Sequence, residues 1–155
     1  MKLLVSLLLI SIFSGCNNND VDEFLPITIS TTLVASGNLY GNGKENITRQ
    51  NLIIQSNKEW TELMNKMNSA NNVTDNFTGT EIDFSNFIIL AFFDEIKMNG
   101  GYTIEIAGVV ENRNDLTVNV RHLSPNGIVP TVITQPYCIV KIPKTEKKIV
   151  FNNQS

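Results

Sequence analysis

The amino-acid sequence points to an α+β domain: a small antiparallel β-sheet (mixed at most) with one amphipathic helix packed on it. Short runs of β-branched and aromatic residues recur along the chain, separated by Gly, Asn and Pro, as strands and turns require. A single stretch near residues 56–67 repeats its apolar residues with the 3.6-residue period of a helix. With 155 residues, 42% of them hydrophobic and 17% charged, the chain has material for one core.

Residues 1-15 lie outside that core. Lys2, the apolar run from Leu3 to Phe13, and the small residues Ser14 and Gly15 have the three-part layout of a secretory signal peptide. The eleven-residue run is too short to span a bilayer. Phe13-Ser14-Gly15-Cys16 resembles a bacterial lipobox, with Phe where leucine is usual, and the resemblance implies acylation of Cys16 as the new N-terminus. Residues 16-25 then form the lipidated Cys and a flexible tether, because Asn17-Asn18-Asn19-Asp20-Val21-Asp22-Glu23 offers little that can pack. Residues 26-152 remain as the single domain. Without the leader, eleven basic residues stand against fifteen acidic ones, which gives no electrostatic reason to expect nucleic acid. The second cysteine, Cys138, lies in an apolar stretch, and two cysteines so placed make no disulfide framework.

The first strand follows Pro26, where residues 27–34 are dense in β-branched side chains. Gly37, Gly41 and Gly43 with Asn38 and Asn42 form a turn, and Asn51-Leu52-Ile53-Ile54-Gln55 is a second strand. Ser56 and Glu59 then make a capping box for the helix. Trp60, Leu63, Met64 and Met67 fall on one face of it and are assigned to the core. The polar stretch 68–80 reads as a long surface loop. Residues 84–93 are almost continuously apolar, the mark of a central strand covered on both faces. Tyr102, Ile104, Ile106 and Gly108 alternate with polar or small residues, as do Leu116, Val118 and Val120, so these two segments form an antiparallel hairpin. Residues 136–143 and 148–151 are the last two strands, with 143–147 as the turn between them.

Catalytic chemistry finds little support. A hydrolase needs a nucleophile, a base and an orienting group. The one histidine, His122, continues the hairpin alternation and reads as a strand-end residue, while Cys138 reads as core, where a thiol is inert. Asp94-Glu95 and Glu111 with Asp115 read as solvated charge at strand ends and turns. One histidine and one cysteine in the domain give no zinc spacing, and Gly100-Gly101 lacks the Lys-Ser/Thr of a phosphate loop. Two segments remain for recognition. Gly100-Gly101-Tyr102 sets permissive backbone beside an aromatic, where the glycines serve a tight turn or the approach of another chain. The loop 124–130 carries Ile128 and Val129 between prolines and leads to the strand of Tyr137. Apolar residues in such a loop either plug the core from outside or await a partner, and both readings stay open.

Residues from about 83 to 151 resemble the PrcB C-terminal domain family. The likeness rests on Asp83-Phe84 opening an apolar strand, Gly100-Gly101-Tyr102-Thr103-Ile104, Leu116-Thr117-Val118-Asn119-Val120, Pro125, and Thr134-Gln135-Pro136-Tyr137 leading into Ile139-Val140-Lys141-Ile142-Pro143. PrcB is a lipoprotein subunit associated with a surface protease complex. The resemblance implies a small antiparallel α+β domain and a non-catalytic binding or accessory role in assembly or stability of a secreted protease complex. With the leader, it implies an exported protein anchored by lipid to the bacterial cell envelope, at the outer membrane. The expected partners are the membrane, through the N-terminal lipid, and a secreted or surface protease, with no cofactor, metal or nucleic acid. A structural envelope lipoprotein without a protease partner, and an unrecognised hydrolase, are the alternatives.

Overall fold

The computed structural model describes residues 23–154. The leader at 1-15 and Cys16 therefore lie outside the described residues. The chain forms β1 (Ile27–Thr28), β2 (Thr32–Leu39), β3 (Gln50–Ile54), helix α1 (Asn57–Met67), β4 (Phe87–Phe93), β5 (Thr103–Glu111), β6 (Asp115–Leu123), β7 (Gln135–Pro143) and β8 (Lys148–Gln154). The strands make two sheets, one in the order β1-β5-β6-β8 and the other β2-β7-β4-β3.

This corrects the expected α+β class. The fold is mostly β, two four-stranded sheets packed face to face with one short helix on the outside. The physical reason lies in β4 and β7, which are apolar on both faces and so need two covers. Ile88, Leu90, Phe92, Cys138, Val140 and Ile142 point at the other sheet, where they meet Ile104, Val109, Leu116, Val118 and Val120. Ile89, Ala91, Phe93, Tyr137 and Ile139 point the opposite way, into a core closed by Trp60, Leu63 and Met67 of α1. One helix covers one face only, and the hairpin β5–β6 with its neighbours supplies the second sheet.

The helix begins as the capping box predicts. The Ser56 hydroxyl accepts from Glu59 N, and the Glu59 carboxylate accepts from the Ser56 hydroxyl at 3.0 Å and from Gln55 N at 2.9 Å. Stretch 68–80 is more than a surface loop. Trp60 Nε1 donates to Thr80 O at 2.9 Å, Thr78 N donates to Val34 O, and Phe77 packs between the rings of Trp60 and Tyr137. In the β5–β6 hairpin, Asn112 N donates to Asp115 O across the turn. A bulge between Ile106 and Gly108 shifts the alternation by one, so Val109 and not Gly108 enters the core. The last two strands are not a hairpin. β7 belongs to one sheet and β8 to the other, where β8 runs parallel to β6.

Candidate functional site

The site is built where β4 and β6 end and the chain enters loops. Asp94 directly follows β4, and its side chain is only 4% exposed. A buried carboxylate is costly unless paired, and here several groups converge on it. Glu95 N donates to Oδ1 at 2.8 Å, His122 Nδ1 lies 3.2 Å from Oδ2, and Lys97 Nζ lies 3.4 Å from the same oxygen. Arg49 Nε stands at 3.6 Å on the solvent side. Burial pushes the Asp94 carboxyl upward, but the Glu95 N–H, the His122 hydrogen bond and the Lys97 charge outweigh it and hold it below the ordinary value. Lys97 is affected in the mirror sense. Burial pulls its ammonium down, but Glu95 and Asp94 together raise it above the usual range.

Lys97 joins this buried charge to the loops. Its Nζ sits 5.0 Å from the centre of the Tyr102 ring. Its backbone pairs with Thr134, with N–H···O distances of 2.7 and 3.0 Å, and the Thr134 hydroxyl donates to Asn99 O. One residue on, Gly100 N donates to Pro130 O at 3.0 Å.

The two recognition segments thus form one unit, and the glycines explain how. A Cβ on Gly100 would stand 3.2 Å from both Pro130 and Val132. Gly101 adopts φ +85°, and a Cβ there would stand 2.8 Å from Pro125 and 3.0 Å from Val129. The glycine pair lets the loop 124–130 lie flat against the start of β5. Within that loop the two apolar residues separate. Val129 is half-buried against Gly101, whereas Ile128, next to Gly127 at φ +104°, is fully exposed. Met98, Leu123 and Val132 add exposed apolar surface at the same end of the molecule.

Of the residues singled out in the sequence, Gly100, Gly101, Tyr102, Ile128 and Val129 come together here, and Tyr137 does not. Tyr137 is 5% exposed and packs on Phe93 and Phe77 on the helix side of its sheet. Burial, and then the charge of Tyr40, pushes its phenol upward. Sequence reasoning missed Asp94 as a buried hub and missed Arg49 and Lys97 altogether. The available signal was that Asp94 continues a strand buried along nearly its whole length. His122 proves to be a partner of Asp94, while its Nε2 is buried with no hydrogen-bond partner among the described residues. Cys138 is a free, buried thiol pushed up to about 11 by burial and then by the Glu105 charge. It is not a thiolate near neutral pH.

Residues 88–143 match the family model described as PrcB C-terminal. The match begins within β4 and ends with β7, so it takes in both central strands of one sheet, the β5–β6 hairpin, and the part of the site from Asp94 to Thr134, while Arg49 lies outside it. The resemblance read from residues 83–151 is thereby supported. β1 to β3, α1 and β8 lie outside the PrcB C-terminal match. Among curated proteins and solved structures, nothing matches the chain.

Proposed function

We propose that this chain is a lipid-anchored, non-catalytic binding domain of the cell envelope, accessory to a secreted or surface protease complex. The observation that carries the reading is the contrast within one loop. Val129 is clamped against Gly101 while its neighbour Ile128 stands fully in solvent on a braced platform. A large apolar side chain held out by a braced loop, with Met98, Leu123 and Val132 exposed at the same end of the domain, supplies the anchor of a small interface. The match to the PrcB C-terminal family over this part of the chain supports a protease-associated role.

Affinity capture of the tagged, full-length protein from envelope extracts tests it, with mass spectrometry of what is recovered. Wild type is expected to recover a secreted or surface protease reproducibly. Ile128→Asp is expected to lose that protease while keeping its denaturation midpoint, because charge on an exposed loop costs the fold within about 0.5 kcal/mol. Equal recovery by wild type and variant would overturn the site.

A further inference from the structure

The end of the domain nearest its N-terminus carries a second exposed apolar surface, remote from the loop site. Leu25 is 71% exposed and Ile27 53% exposed, and with Phe24, Glu23 and Arg113 they line a shallow hollow of about 350 Å³. The chain here is fixed to the tip of the β5–β6 hairpin. Ile27 pairs with Glu111, Lys147 Nζ lies 4.7 Å from the Phe24 ring, and the same ammonium donates to Asn112 O and Glu111 Oε1. With Lys147 paired to Glu111, the exposed side chains that gain most by leaving water are the apolar ones. β5 then serves as a ruler. It starts beside Tyr102 and ends beside Ile27, and nine strand residues span about 30 Å.

We infer that this apolar end rests on the lipid headgroup layer, so that the loop site faces away from the membrane. The inference rests on the lipid-anchored reading of Cys16. Six residues separate Cys16 from Glu23, and even fully extended they place Glu23 within about 25 Å of the acylated cysteine. A tether so short holds Leu25 and Ile27 within reach of the bilayer, where apolar residues settle roughly 5–10 Å into the headgroup boundary. The loop carrying Ile128, at the far end of β5, stays in solvent and open to a partner.

The test uses the full-length lipidated protein on vesicles of phosphatidylethanolamine and phosphatidylglycerol, with an environment-sensitive thiol dye on Leu25→Cys or on Ile128→Cys. The buried Cys138 thiol stays unlabelled in the folded protein. A lipid-borne doxyl quencher is expected to quench the dye at position 25 several-fold more than at position 128. Flotation with the vesicles but equal quenching at both positions would overturn the orientation and leave the anchor intact. Quenching greater at 128 would reverse the orientation and put the loop site on the membrane. Failure to float would overturn the anchored reading, and this inference with it.

Discussion

Asp94 ties three separate parts of the chain together, since Arg49 precedes β3, Lys97 follows β4 and His122 lies near the end of β6. Because its carboxyl is held below the ordinary value of 3.8, its contribution to stability is fully present above that value and is lost as pH falls through the folded-state value. Asp94→Asn is therefore expected to cost about 3 kcal/mol near neutral pH. The gap between wild type and variant should narrow as pH drops below about 4. Denaturation midpoints from pH 7 to pH 3 check this, and a gap constant with pH would contradict it. The glycines give a second comparison. Gly101→Ala meets both positive φ and a crowded Cβ, whereas Gly127→Ala meets positive φ in open space. The first should cost about 2 to 4 kcal/mol and the second about 1 to 2. Asp94 also shows where local sequence stops informing. Two adjacent carboxylates at a strand end are ordinarily solvated, and that holds for Glu95 but not for Asp94, whose partners are assembled only by the tertiary fold.

Helix α1 was legible because an amphipathic period declares its own buried face. Trp60, Leu63 and Met67 are buried while Lys58 and Glu62 are exposed. Trp60→Ala should cost about 3 to 5 kcal/mol, and Lys58→Ala no more than about 0.5. Chemical denaturation midpoints measure both, and small equal effects would contradict the assigned face. The hairpin turn at 112–114 and the buried strand β4 were equally legible, from turn residues and from an unbroken apolar run. Less visible was the β5 bulge, because one extra residue changes the facing of Gly108 and Val109 without changing composition. β8 was misplaced for a different reason. Two strands joined by a short polar link read as neighbours in one sheet with a turn between them, and nothing local shows that residues 144–147 carry the chain from one sheet to the other.

At the scale of the whole molecule, the second sheet was the largest difference, although its cause is written in β4 and β7, whose two apolar faces demand two covers. The site has the same character. Its residues were named from two separate segments, but their union through Gly101, Pro125 and Val129 is a product of folding. The proposed membrane end rests on lipidation of Cys16. Cys16→Ser removes the proposed acylation site, and since a buried chain contributes roughly 0.8 kcal/mol per methylene, the variant should leave the membrane fraction. Equal labelling of wild type and variant by an alkynyl fatty acid would contradict the anchor. The most direct measurement of the central claim is site-specific photocrosslinking in the intact envelope, with the same photoreactive residue placed at Ile128, at Leu25 or at Lys58. A crosslink to a secreted or surface protease from position 128, and not from 25 or 58, is the predicted result. A protease adduct from position 58 with none from 128 would move the interface to the helix and contradict the account.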